Sequence, residues 1–289
     1  LVIWNMIDNK MKVKSYWYLV FSLPLLHIYG FITTPDVPLL FFGSLFFVVL
    51  RQVLERNQWI DYLLWGLVMG ILLYSKYHAG LLILLTLASN PKLFLNPKTY
   101  VAGAIGLLLW TPHFLWQSEH NWMTFRYHLG ERVGEYRWYY PLEFLGNFLL
   151  IFNPLFIGFV YRVFRNKWKG DFQRALYFVF AGFIGFFFLQ SFRDHVQPQW
   201  LVLSYIPFIV LLVNVLNEHQ EKVIKKLFLF AIPLMVGLHI FLSFDLLKDK
   251  LGIWGKNAFV ANIEEASRGR NVVFFDSYQD PSIYEWYKP

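Results

Sequence analysis

Four polar stretches interrupt an otherwise apolar chain, and they hold the residue types that a charged ligand needs. They are Thr33-Thr34-Pro35-Asp36, Tyr74-Ser75-Lys76-Tyr77-His78, the segment 117–140 with His128 and Arg132, and Ser191-Phe192-Arg193-Asp194-His195. Asp36 reads either as an ordinary helix N-cap beside proline or as a carboxylate that orients an acceptor or holds a metal. Lys76 is an ammonium group at the end of an apolar run. It is placed to neutralise a phosphate, or simply to snorkel to lipid head groups with tyrosine beside it. Arg193 and His195 suit an anion in the same cavity as Lys76, with a plain Arg193–Asp194 surface pair as the alternative. His128 and Arg132 lie one turn apart on a segment whose apolar stripe is Trp122, Phe125, Leu129 and Val133. That pair suits a charged head group or a metal. Glu131 and Glu135 read as a solvated face, and no HExxH-type spacing supports a metal centre.

The elements that must carry these groups are membrane helices. Of 289 residues, 57% are apolar, 21% aromatic and only 16% charged, against about 25% charged in a soluble domain. Thirty-one Phe, 17 Tyr and 12 Trp exceed what one soluble core can bury. Such a composition excludes a disordered chain and an ordinary cytosolic enzyme. With no cysteine there is no disulfide framework and no thiolate chemistry. Nine apolar stretches are candidate spans: 16–32, 37–50, 59–74, 79–89, 99–116, 141–161, 174–190, 200–216 and 226–244. The second and fourth are short for a crossing. Gly66 and Gly70 form a GxxxG, the signature of close helix packing in a bundle.

The basic residues give these spans a direction. With nine crossings and the Lys10, Lys12, Lys14 segment inside, fifteen of the 26 Lys and Arg fall in inner segments, five in outer loops and six in the tail. The net charge of +7 is then an anchor to the cytoplasmic leaflet and implies no nucleic acid partner. All four polar stretches fall on the outer face, with the segment 117–140 resting on it as an interfacial helix. There is no Walker A loop, no GxGxxG after a strand and no mid-span acid of the kind proton-coupled pumps use. In the tail, Asn271-Val272-Val273-Phe274-Phe275-Asp276 reads as a strand and Asp280-Pro281 as a helix start. The organisation expected is thus an all-α polytopic membrane domain over 1–244, followed over 245–289 by the beginning of a small extracytoplasmic α/β domain.

Several segments together carry a resemblance. T-P-D-V-P-L-L-F-F-G at 34–43, S-K-Y-H-A-G at 75–80, L-L-W-T-P-H-F-L-W-Q-S-E-H-N-W at 108–122 and H-V-Q-P-Q-W at 195–200 are similar to bacterial polytopic glycosyltransferases of the GT-C fold. The group is the protein O-mannosyltransferase-like one, which includes the aminoarabinose–lipid A transferases. The tail, F-F-D-S-Y-Q-D-P-S-I-Y-E-W-Y, resembles their extracytoplasmic domain. What the resemblance implies is a GT-C-like bundle in the bacterial inner membrane that moves a sugar from a polyprenyl-phosphate donor to an envelope acceptor. It also implies a divalent metal, which members commonly need. In this reading Lys76, Arg193 and His195 bind the donor phosphate. Asp36 and Arg132 lie near the acceptor or metal, and His128 is a metal ligand. The family's catalytic carboxylate lies in its first outer loop, for which this sequence shows no counterpart, so the expectation is a fragment inactive by itself. A transporter or flippase, a metal-independent O-antigen-ligase-like enzyme and a noncatalytic scaffold are the competing classes. The first would show inverted repeats and a polar midplane.

Overall fold

The computed structural model describes residues 2–8, 12–31, 34–126, 136–244, 256–274 and 279–288. The chain divides into two units, Leu1–Met235 and Val236–Pro289. The first holds α1 (Val13–Val20), α2 (Pro24–Phe31), α3 (Asp36–Arg56), α4 (Trp59–Ser75), α5 (His78–Ser89), α6 (Pro97–Glu119), α7 (Met123–Arg126), α8 (Tyr140–Ile151), α9 (Ile157–Arg165), α10 (Asp171–Gln190), α11 (Tyr205–Val215) and most of α12 (Glu218–Ser243). The second unit holds the end of α12, α13 (Lys256–Ser267) and α14 (Gln279–Tyr287). Its expected strand is not seen: residues 271–274 carry no regular structure, and 275 and 276 lie outside the described residues. The helix start expected at Asp280-Pro281 is there, in the first turn of α14.

Local chemistry sets the helix ends. Arg51 binds Asp8 and Glu55, each at 2.7 Å, so α3 continues past its apolar run to Arg56. Asn57 then takes the left-handed conformation that closes a helix. Gln58 and Asp61 form a capping box at the start of α4. Asn96 caps α6 through the amide of Lys98, with Pro97 at the first helical position. α4 packs on α6 through Gly66 and Gly70. A Cβ on Gly66 would lie 2.5 Å from the Ala102 carbonyl oxygen, and one on Gly70 would lie 2.8 Å from Leu109 Cβ.

The described helices differ in length from the nine candidate stretches. Four described helical segments are long and apolar enough to cross a membrane: Asp36–Arg56, Asp171–Gln190, Pro198–Val215 and Glu218–Phe241. A fifth is added if α8 and the segment Pro154–Arg165 form one span, bent by 81°. Proline explains two of the differences, because it ends a helical hydrogen-bond ladder. The stretch 16–32 breaks ahead of Pro24 into α1 and α2, and the stretch 141–161 breaks ahead of Pro154. At the second break Asn153 has φ +60° and is fully buried. Its amide donates to the Ser22 carbonyl (3.0 Å) and its side-chain oxygen accepts from the Leu155 amide (3.1 Å), so the bend is held by hydrogen bonds. α4 and α5, with 17 and 12 residues, are apolar but shorter than the roughly 20 residues of a full crossing.

The protein is nonetheless an all-α, multi-pass membrane protein. Large apolar side chains such as Leu108, Leu189, Leu229 and Phe230 stand exposed along helix after helix, a surface far beyond what a soluble monomer presents. α11 differs from the rest. Every residue from Leu201 to Val213 is buried, and the helix packs against α1, α3, α9 and α10.

Hydrogen bonds and ion pairs sort the helix ends into two sets. At one, Lys12 donates to the Leu216 carbonyl at the foot of α11 (2.6 Å), and Arg174 of α10 reaches Asn90 below α5 (2.7 Å). Arg162 and Arg165 at the end of α9 and Lys222, Lys225 and Lys226 at the start of α12 lie at this end too. The other end holds the start of α3, the α4–α5 junction, the end of α6 and the end of α10.

Candidate functional site

At that second end lies a cavity of about 650–700 Å³. Lys76, Tyr77 and His78 line it from the α4–α5 junction, and Thr124 and Phe125 from α7. Phe187 and Gln190 line it from α10, and Arg193, Asp194, Gln197 and Trp200 from the turn that follows.

Lys76 is placed by the junction itself. Its backbone is extended between two helices, and its carbonyl accepts the Ala79 amide at 3.0 Å, so α5 starts at once. The side chain crosses to the first turn of α3, where its Nζ lies 2.8 Å from Asp36 Oδ1. The Asp36 side chain is 5% exposed and that of Lys76 21%. Asp36 therefore is not the N-cap. Pro35 holds that position, and the Thr34 hydroxyl accepts the Asp36 amide at 3.4 Å. As an acid in a first turn, Asp36 is also favoured by the helix dipole.

Behind the cation stands a polar network. Gln117, fully buried at the end of α6, donates from Nε2 to Thr124 Oγ1 (2.6 Å) and to the Tyr77 hydroxyl (3.2 Å). Tyr77 in turn lies 2.7 Å from His113 Nε2. These groups fix α7 against α6 and hold the Tyr77 hydroxyl at the cavity wall. Rings complete the enclosure: His78 packs against Phe187 and Trp200 at 5.3 and 5.6 Å between centroids. Tyr77, Gln117 and Thr124 were not among the sequence candidates. His113 and Gln117 are four residues apart on one helix face, and that spacing is the signal that points to them.

The expected anion-binding residues separate. Lys76 and Arg193 face one cavity, and Asp36 joins them through Lys76. His195 does not line it. The α10 carbonyl of Gln190 accepts the amides of Arg193 and Asp194, and Asp194 Oδ1 accepts the His195 amide at 2.7 Å. This turn swings the imidazole to α8, where Nδ1 lies 3.1 Å from Glu143 Oε2 and the ring packs on Tyr140. His128 and Arg132 lie outside the described residues, as do positions 127–135 of the expected interfacial helix; of that stretch 117–126, ending in α7, and 136–140 are described. Among the described residues no three His, Asp or Glu side chains come together as a metal-ligand set. Asp36 points to an ammonium group, an arrangement that does not fit a cation site.

The fold and this cavity define a polytopic helical membrane protein with a cation-lined, aromatic-walled chamber at one end of its spans. Residues 2–116, less than half of the chain, match the family model for dolichyl-phosphate-mannose-protein mannosyltransferase. It covers Asp36, Lys76 and His113 but ends before Gln117 and Arg193. No curated protein and no solved structure matches the chain.

Proposed function

We propose that the protein transfers a sugar from a polyprenyl-phosphate carrier to an extracytoplasmic lipid, glycan or protein acceptor, and that the Lys76–Arg193 cavity receives the carrier's phosphate. The observation that carries this reading is the placement of two cations in one chamber with aromatic walls, at the end of apolar helices. A lipid-linked donor arrives from the bilayer, so its phosphate must be met there. In such a transfer the sugar C1–O bond breaks and the phosphate departs with an added negative charge, while the acceptor hydroxyl forms the new bond and gives up its proton to a base. Lys76 and Arg193 would stabilise the departing charge; a guanidinium can do so with two parallel hydrogen bonds. Asp36 is a positioning residue, holding the ammonium group in register without touching the phosphate. No step is assigned to a metal here, and the base is not assigned to a described residue.

The test has two arms. Purified protein in detergent is titrated with a polyprenyl phosphate, and membranes carrying the protein are assayed for transfer of labelled sugar from polyprenyl-phosphate donors. Each charge-assisted hydrogen bond is worth about 1.5–3 kcal/mol. Lys76→Met and Arg193→Gln should therefore each weaken carrier binding by about tenfold or more and slow transfer at least as much. Full carrier affinity in both variants refutes this site; transfer undiminished in both refutes its role.

A further inference from the structure

A second cavity, of about 650 Å³, lies at the opposite, basic end, between α9 and the first turns of α12. It is independent of the transfer site and of the function proposed for it. α9 buries Phe159, Val160 and Val163 against the core. Its other face carries Gly158, Tyr161, Arg162 and Arg165, and this face lines the cavity opposite Gln220, Val223 and Leu227 of α12.

The cations here are poorly compensated. Among the described residues neither Arg162 nor Arg165 lies within ion-pair distance of a carboxylate. Arg162 Nε is buried without a hydrogen-bond partner, and its Nη2 reaches only the Val215 carbonyl, at 3.5 Å. Arg165 donates to the Tyr161 hydroxyl at 3.2 Å and lies over that ring. A partly desolvated guanidinium without an anion is costly, and a guanidinium with free donors matches a phosphate with two parallel hydrogen bonds. Capping α11 accounts for one weak contact of Arg162, and Tyr161 engages Arg165, but among the described residues neither guanidinium meets an anion.

The rest of the cavity is apolar: Leu155, Phe159, Val223 and Leu227. Along α12 it leads on to Leu229, Phe230 and Leu234, all exposed. Two arginines lining the pocket, with a greasy strip running away along α12, fit one class of ligand. We infer that this cavity binds the phosphate head group of an anionic phospholipid, with an acyl chain along α12. Tyr161, 63% exposed, would sit at the membrane interface, and Lys222, Lys225 and Lys226 add to the local positive potential.

Gly158 allows a test that spares the arginines. It lines the cavity, and a Cβ there would meet open space, so Gly158→Leu adds bulk at the cavity wall. The purified protein is placed in nanodiscs of phosphatidylcholine with one-fifth phosphatidylglycerol, and the lipids retained after release are counted by native mass spectrometry. Preferential retention of one phosphatidylglycerol is expected in the wild type. Arg162→Gln/Arg165→Gln and Gly158→Leu should each reduce it by about tenfold or more, with thermal unfolding in detergent unchanged for Gly158→Leu. Equal retention of the two lipids overturns the inference. So does full retention by Gly158→Leu, or displacement of the lipid by millimolar inorganic phosphate, which would make free phosphate the occupant.

Discussion

Replacing Lys76 by methionine keeps most of the side chain's length and bulk and removes its charge. What remains is the Asp36 carboxylate, 5% exposed, with no counter-ion. At 2.8 Å the attraction of two unit charges in an effective dielectric near 20 is about 6 kcal/mol. Withdrawing both groups from water cancels most of that, so the intact pair contributes little net stability. Breaking it is different, because the desolvation of the survivor is no longer offset. Lys76→Met should then cost about 3–5 kcal/mol. Asp36→Asn should cost less, about 1–2 kcal/mol, because the ammonium group is 21% exposed and its flexible stem can carry it to water. The double variant should cost only about 1–2 kcal/mol, giving a coupling of about 3–5 kcal/mol. The assay is reversible denaturant unfolding in micelles for the wild type and three variants. A Lys76→Met protein within about 0.5 kcal/mol of wild type, or strictly additive losses, refutes the claim that Asp36 is a buried partner of Lys76.

Four further outcomes are expected. Gly66→Ala should destabilise by about 1–3 kcal/mol by overpacking against the Ala102 backbone. Gly146→Ala in α8, where a Cβ meets nothing within 4 Å, should be neutral or stabilise by about 0.5–1 kcal/mol; micelle unfolding reads both. Asn153→Ala removes two buried hydrogen bonds at a positive φ and should cost about 2–4 kcal/mol in the same assay. In the second unit the Tyr284 hydroxyl donates to Glu264, which raises the phenol above its ordinary 10.0. The folded unit thus holds that proton more tightly than the unfolded chain. Its contribution is complete below pH 10.0 and disappears as pH rises through the raised value. The stability margin of wild type over Tyr284→Phe should accordingly hold up to pH 10.0 and shrink as pH rises above it, read by thermal melts at each pH.

How far the sequence carried this picture depended on whether a feature was local. Caps and apolar runs gave α3, α4, α5 and α10 to within a few residues at the site end, and the Gly66/Gly70 pair announced close packing of α4 without naming α6 as its partner. The breaks at Pro24 and Pro154 were less legible, because a proline at the start of a helix and a proline that interrupts one look alike without the neighbouring backbone. α11 and α12 have similarly apolar sequences, yet one is enclosed by protein and the other is mostly exposed; composition does not separate lipid from core. The Lys76–Asp36 pair spans 40 residues of chain and emerges only when α3 and α4 pack. The direction of His195 was set by the Asp194 side chain bonding its amide, a one-residue detail with no periodic signature.

The enclosure of α11 gives the two kinds of apolar helix different tolerances. Carving a methylene from the outside of α12 leaves a dent that an acyl tail, being fluid, flows in to level. The same excision at Phe208, which packs on Phe152 and Phe180, opens a void that no solvent of either kind can reach. The central helix thus acts as the axle of the assembly: natural drift in its side-chain volume should be the narrowest in the chain, even though nothing in its chemistry is reactive.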